Sequence, residues 1–227
     1  MNICIIPARG GSKRIPKKNI KIFGGQPMIS WSIEAALNSE CFKRVIVSTD
    51  DDEISEISQR YGAEVPFKRS ASLSDDYTGT IPVIKSAINW LEMRGEKINY
   101  ICCLYPTAPF IEVSYLREGL EKLIEHNASY SISVTSFPYP IQRAFKLKNN
   151  KLQMFFPENI NKRSQDLEKS FHDAGQFYWG KRSSWMGEEK ILDHNTVPIF
   201  IPRYKVQDID NEEDWIQAER IFNKFGK

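Results

Sequence analysis

The chain has 227 residues, with 31 lysines and arginines against 29 acidic residues and a formal net charge of +2. That balance excludes a global positive field for nucleic acid, and no apolar stretch reaches the ~20 residues a membrane helix needs. The length suits one large α/β domain, alone or with an insertion. The four cysteines, Cys4, Cys41, Cys102 and Cys103, lack zinc-like C-x-x-C spacing. With no leader-like run at the start, they suit a reducing cytoplasm.

The apolar run Ile3–Ile6 predicts a buried first strand. It leads into Pro7-Ala8-Arg9-Gly10-Gly11-Ser12-Lys13-Arg14-Ile15-Pro16-Lys17-Lys18-Asn19, a Gly-Gly turn crowded with cations. Glycines let backbone N–H groups approach anionic oxygens closely. Arg9, Lys13 and Lys18 supply charge that a triphosphate would match, and the two prolines leave less loop entropy to lose on binding. Neither the Walker A spacing nor the G-x-G-x-x-G fingerprint is present.

Pro27 suits the first turn of a helix reaching Asn38, with Ile29, Ile33 and Leu37 at one-turn spacing. Val45–Val47 is a short apolar strand. Asp50 or Asp51 then caps a helix with the face Ile54, Ile57 and Tyr61, which Gly62 stops. Ile81, Ile84, Ile88 and Leu91 mark a helix ended by Gly95; Tyr100–Leu104 is a strand, followed by the loop Tyr105–Pro109. Leu116, Leu120 and Leu123 mark another helix and Tyr130–Val134 another strand. Strands apolar on both faces and separated by helices predict a largely parallel sheet covered on both sides. Such sheets bind ligands beyond the carboxyl ends of their strands. The cationic loop, Ser48-Thr49-Asp50 and the Tyr105 loop should therefore share one rim.

After Thr135 the alternation breaks. Phe137-Pro138-Tyr139-Pro140 reads as a rigid linker, and Ala144–Leu147 with Leu152–Phe155 flank Asn149-Asn150 as a hairpin. Residues 136–172 form an insertion too small for a core of its own. Its aromatics bury either against a second copy, making a homodimer, or back on the parent sheet; composition favours the homodimer. Gln176–Trp179 and Val197–Ile201 can return to the sheet, and a last helix follows Asp210 with Trp215, Ala218 and Phe222 inward. On a strand, Asp208 and Asp210 would project to one face and could hold Mg²⁺. Alternatively, Asp210 caps the last helix.

These residues resemble the cytidylyltransferases that activate nonulosonic acids. The resemblance covers essentially the whole chain as a single domain, residues 1–227. It is carried by Ala8–Lys13 with Lys18-Asn19, Val47-Ser48-Thr49-Asp50, Phe67-Lys68-Arg69 through Asp76, Pro106-Thr107-Ala108-Pro109 and Asp208-Ile209-Asp210. Within that family the match to the pseudaminic acid subgroup is closer. It rests on Asp75–Thr80, Phe137–Arg143, Arg163–Leu167 and His172–Trp179. The sialic acid enzymes usually place Gln where Tyr105 stands and Arg-Pro-Asn-Gly where His172-Asp173-Ala174-Gly175 stands.

The resemblance implies a Rossmann-like α/β nucleotidyltransferase fold with a dimerisation insertion. It also implies a reaction in which the anomeric hydroxyl of the sugar acid attacks the α-phosphorus of CTP in line, with Mg²⁺ as cofactor. Arg9, Lys13, Asp208 and Asp210 are then the catalytic candidates, and the two aspartates are the metal ligands. Ala8, Arg9, Gly10, Gly11, Ser12, Lys13, Lys18, Asn19, Arg69, Ser74 and Thr80 are the nucleotide candidates. Tyr105, Gln142, Arg143, Arg163 and Gln165 are the sugar candidates, since arginine suits a substrate carboxylate. His172 and Asp173 either orient the sugar or form a structural pair, and Asp50 either contacts the site or caps its helix.

Legionaminic and N-acetylneuraminic acids are alternative substrates. The 3-deoxy-manno-octulosonic acid enzymes carry an Asp in the loop corresponding to Tyr105–Pro109, which is absent here. A glycosyltransferase would usually carry its D-x-D nearer the middle of the nucleotide domain. A non-catalytic nucleotide sensor would be expected to lack the carboxylates or the cations that are intact here.

Overall fold

The first apolar run forms β1 (Asn2–Pro7), and its alternating side chains serve two cores: Cys4 and Ile6 enter one, Ile3 and Ile5 the other. The computed structural model describes residues 1–225. β1 is followed by a two-residue ribbon, β2 (Ile22–Phe23) with β3 (Gln26–Pro27), and then α1 (Met28–Ser39), β4 (Arg44–Ser48) and α2 (Asp52–Arg60). Next come α3 (Thr80–Glu92), β5 (Tyr100–Leu104), α4 (Val113–Glu125) and β6 (Tyr130–Ser136). A small hairpin, β7 (Phe145–Lys148) with β8 (Lys151–Met154), precedes β9 (Phe171–Lys181), α5 (Arg182–Met186), β10 (Thr196–Phe200) and α6 (Glu212–Phe225).

The main sheet has the order β10-β6-β9-β5-β1-β4. β1 is parallel to β4 and β5, and β6 is parallel to β10, while β9 runs antiparallel between β5 and β6. Period-two alternation then sorts the side chains. Ile29 and Ile33 of α1, Ile54 of α2, and Leu116 and Leu123 of α4 cover one face. Ile84, Ile88 and Leu91 of α3 and Trp185 of α5 cover the other. Each fully buried aliphatic side chain of this kind contributes about 1.5–3 kcal/mol. Cys4, Cys102 and Cys103 are buried within these layers as free thiols. Among the described residues no helix is long and apolar enough to cross a membrane.

A third cluster decides where the ends of the chain lie. Ile15, from the cationic loop, packs with Phe23, Met28 and Trp31, and with Ile209, Trp215 and Ala218 near the carboxyl end. Phe23 meets Trp215 and Phe222 edge-on at 5.4 and 5.2 Å. This burial brings the Asp208–Asp210 segment, some two hundred positions away in sequence, onto the loop after β1.

Three local expectations change. Asp208-Ile209-Asp210 is not a strand but an irregular segment; Ile209 is buried and the chain is held by packing rather than by a ladder. Asp210 does not cap α6. Asn211 does, since its Oδ1 accepts the Asp214 N–H at 3.0 Å while Asp214 Oδ2 accepts the Asn211 N–H at 3.0 Å. The strand expected over Gln176–Trp179 begins at Phe171, because its pairing with β6 resumes beyond an irregularity at Ile132/Val134, with Gly175 at φ +63°. His172 and Asp173 therefore stand on the main sheet.

Residues 137–170 join β6 to β9. The hairpin turns through Asn149 and Asn150 at φ +51° and +59°, a left-handed pair that asparagine tolerates. Phe145, Leu147, Leu152, Phe155 and Ile160 are all exposed.

Candidate active site

The carboxyl ends of β1, β4 and β5 deliver three loops to one rim. A cavity of about 470 Å³ opens there, lined by Arg9, Ser12, Lys13, Arg14, Lys18 and Asn19 from the first loop, Tyr105 and Thr107 from the third, Asp76 and Asp210. Its charge is mostly positive and its scale suits a nucleotide or sugar.

The first loop is braced internally. Ala8 N–H donates to Ser48 O at 2.9 Å, and Ser12 N–H to Gly10 O at 2.9 Å. Gly10 N–H donates to Asp50 Oδ1 at 3.0 Å, and Asn19 Nδ2 donates to Arg9 O at 3.0 Å. Of the amides expected to face phosphate, those of Gly10 and Ser12 are thus held by the protein. Gly10 is the position where a side chain has no room: a Cβ would lie 2.7 Å from Asp51 Oδ2.

The cations have partners. Arg9 Nη1 lies 2.9 Å from Asp76 Oδ1 and donates to Asp75 O, and Lys13 pairs with Asp76. Arg14 Nη2 meets Asp210 Oδ1 at 2.8 Å, and Lys18 Nζ lies 3.7 Å from the same oxygen and 2.5 Å from Ile209 O. Burial pushes the Lys18 ammonium below its ordinary pKa, against the pull of Asp210 and Asp208. Burial, reinforced by the neighbouring Asp210 charge, raises Asp208 above the usual carboxylate range. The described residues hold no cluster of three or more metal-ligating side chains. Of the two expected metal ligands, Asp210 lines the cavity and Asp208 does not, although the two are close enough for the Asp210 charge to act on Asp208. Carboxylate oxygens of this kind are the donors Mg²⁺ takes, with water and substrate oxygens in its remaining positions.

Arg69 does not line this cavity. Its side chain is 4% exposed behind the loop, 3.4 Å from Asp50 Oδ1, with Nε buried and unpaired. Ser74 Oγ donates to Ser70 O within its own turn. Thr80 Oγ1 lies 3.0 Å from the Tyr105 hydroxyl. Tyr105 meets Tyr178 edge-on at 5.5 Å, and Tyr178 donates to Asp173. Burial raises the pKa of both tyrosines, so both stay protonated donors at neutral pH. Tyr105 also walls a second cavity of about 350 Å³ with Thr80, Ile81, Pro82, Asp173, Tyr178 and Leu192.

Gln142, Arg143, Arg163 and Gln165 lie in the segment joining β6 to β9, outside the lining of either cavity. Arg143 donates to Lys162 O and Arg163 Nε pairs with Asp166 at 2.7 Å. His172 Nδ1 lies 2.9 Å from Asp173 O and its ring packs on Phe137. Arg14, Asp76 and Tyr178 are functional candidates that sequence reasoning did not single out. Arg14 stood within the cationic run and Asp76 within the acidic pair before α3, but only packing aims them at the same space.

A family model described as Cytidylyltransferase matches residues 3–153. Pseudaminic acid cytidylyltransferase of Campylobacter jejuni is 47% identical over 222 residues, covering 97% of this chain and 96% of that protein. CMP-N,N'-diacetyllegionaminic acid synthase of the same organism is 32% identical, covering 97% and 94%. Among solved structures, CMP:2-keto-3-deoxy-manno-octonic acid synthetase complexed with CTP superposes with a TM-score of 0.72 over 98% of both chains at 15% identity, a likeness of fold. The loops that meet at the cationic cavity and the similarity along nearly the whole sequence lead to one conclusion: the chain belongs to the cytidylyltransferase family.

Proposed function

We propose that this chain couples CTP to pseudaminic acid, giving the CMP-sugar and pyrophosphate. The observation that carries the reading is the cavity in which Arg9, Lys13, Arg14 and Lys18 converge opposite Asp210 and beside Tyr105. The choice of sugar is supported by the 47% identity to a pseudaminic acid cytidylyltransferase. The anomeric oxygen forms a bond to the α-phosphorus as the bond to the bridging oxygen breaks. Pyrophosphate leaves and the hydroxyl proton passes to solvent or a nearby base. Charge gathers on the α-phosphate and the leaving group, so positioned cations supply most of the catalysis.

Arg9 and Lys13 exchange Asp76 for phosphate oxygens when CTP binds. Asp208 and Asp210 hold Mg²⁺, which when bound neutralises phosphate charge. Tyr105, Thr80 and the Asp173–Tyr178 pair border the sugar. A homodimer forms through the hairpin β7–β8, whose Phe145, Leu147 and Leu152 side chains are exposed in one copy. A second copy then places Gln142, Arg143, Arg163 and Gln165 near the neighbouring site. A reducing cytoplasm suits four free thiols.

The test is pyrophosphate release from CTP and Mg²⁺ with pseudaminic acid or N-acetylneuraminic acid, each with an EDTA control. Metal-dependent release with pseudaminic acid alone is the expected result. Release with N-acetylneuraminic acid alone overturns the choice of sugar.

A further inference from the structure

The three residues after β4 divide their work. Thr49 Oγ1 accepts the Asp51 N–H at 3.1 Å, and Asp51 Oδ1 accepts the Ile54 N–H at 2.9 Å, capping α2. Asp50 is free of that duty and turns to the loop after β1. Its Oδ1 accepts the Gly10 N–H at 3.0 Å and lies 3.4 Å from Arg69 Nη2.

That amide belongs to the Arg9–Gly10 peptide unit, whose carbonyl oxygen accepts from Asn19 Nδ2 at 3.0 Å. One peptide plane is therefore clamped at both ends, N–H by Asp50 and C=O by Asn19. Because a peptide is planar, two fixed ends hold the Arg9 Cα–C bond. With Ala8 N–H tied to Ser48 O at 2.9 Å on the other side, they restrict the direction in which the Arg9 side chain leaves the backbone. Asp51 closes the remaining side, since Gly10 has no room for a Cβ against it. Arg69 is anchored behind the loop by its N–H to Thr49 O at 2.8 Å and holds the Asp50 carboxylate in place. Burial lowers the Arg69 pKa, and the Asp50 charge opposes that shift.

We propose that Asp50 is a positioning residue for nucleotidyl transfer: by clamping the Arg9–Gly10 peptide against Asn19, it aims the Arg9 guanidinium into the phosphate cavity before CTP arrives. The inference rests on the reading of the loop as the site of the triphosphate. It predicts that Asp50 acts through Arg9. A residue that only stabilises the fold would weaken binding and turnover regardless of whether Arg9 is present.

The experiment is a double-mutant cycle between Asp50→Ala and Arg9→Ala. It is read in kcat/KM for CTP by pyrophosphate release and in the CTP dissociation constant by calorimetry, with thermal denaturation of each variant. Asp50→Ala alone is expected to lower kcat/KM by about 10–100-fold, the scale of an ångström-sized misplacement. In the Arg9→Ala background the same substitution is expected to change it less than about threefold, because coupled residues are not additive. Multiplicative effects of the two substitutions overturn the proposal, as does a folded Asp50→Ala protein with wild-type kinetics.

Asp50→Ala leaves the Arg69 charge buried without its partner, which can prevent folding. In that event the cycle is run with Asp50→Ala/Arg69→Met in place of Asp50→Ala, which removes that charge together with the clamp, against Arg69→Met as reference. The same coupling to Arg9 is expected, and its absence overturns the proposal. The calorimetric arm needs no sugar, so a wrong choice of sugar abolishes turnover with pseudaminic acid but leaves the coupling in CTP affinity.

Discussion

Gly10→Ala tests the close approach on which the phosphate loop depends. A Cβ at Gly10 would lie 2.7 Å from Asp51 Oδ2 and 2.8 Å from Asp51 Cβ, inside the roughly 3.5–4.0 Å of ordinary carbon contact. Asp51 is not free to step aside, because its Oδ1 holds the first turn of α2 through the Ile54 N–H. Two forms of relief remain. If the side chain rotates away, the helix loses its cap, worth about 1 kcal/mol. If the loop moves off instead, overpacking strain of about 1–3 kcal/mol is shared with the backbone.

Stability therefore falls by about 1–3 kcal/mol, which at 2–4 °C per kcal/mol for a chain of this size lowers Tm by roughly 2–12 °C. A displaced loop also misplaces Arg9, and kcat/KM for CTP is expected to drop by about tenfold or more. Gly11→Ala is the control, since a Cβ there meets nothing within 4 Å. Its stability is expected to stay within about 0.5 kcal/mol of the wild type, so thermal denaturation is the readout in which the two variants separate. Thermal denaturation of the pair side by side decides the matter, with pyrophosphate release read for Gly10→Ala against the wild type. Equal melting of the pair refutes the steric reasoning.

Arg9→Ala is expected to reduce kcat by about 10²–10³, the loss of one preorganised charge-stabilising donor; a loss below about tenfold in steady-state assays would place the stabilising charge elsewhere. Leu147→Asp with Leu152→Asp introduces charge on the exposed hairpin and is expected to turn a dimer into a monomer in sedimentation, so an unchanged dimer assigns the contact to another surface. Burial lifts the Tyr130 hydroxyl from 10.0 to about 12. Below pH 10 both folded and unfolded chains keep that proton. Between pH 10 and 12 only the unfolded chain releases it, so stability falls by about 1.4 kcal/mol per pH unit from this group. Tyr130→Phe should flatten that part of the alkaline decline in Tm; an identical slope removes Tyr130 as its cause.

Several features were legible in the sequence because they are local. β1, β4 and β5 are apolar on both faces, so continuous runs such as Ile3–Ile6 and Tyr100–Leu104 announced a covered parallel sheet. The helices carried their period in Ile84, Ile88 and Leu91 and their stops in Gly62 and Gly95, both at positive φ. The Asn149-Asn150 turn follows from side chains that tolerate left-handed backbone. The cations of the opening loop were visible as charge beside glycine.

What the chain could not reveal locally is which groups meet. β9 lies antiparallel between β5 and β6, an order fixed by long-range pairing that alternation does not encode. The choice between Asp50 and Asp51 as cap is settled by the exit direction of β4, which sends one carboxylate to α2 and the other to Gly10. Arg69, a cation like Arg9 by sequence, is buried behind the loop instead of facing the cavity. The sequence by itself determined the sheet class, the existence of the main helices and first strands, and the cationic loop, because each depends on neighbours within a few residues. The tertiary structure alone decided that Asp210 faces Arg14 and Lys18, because that meeting depends on Ile15, Ile209 and Trp215 burying one another across the length of the chain.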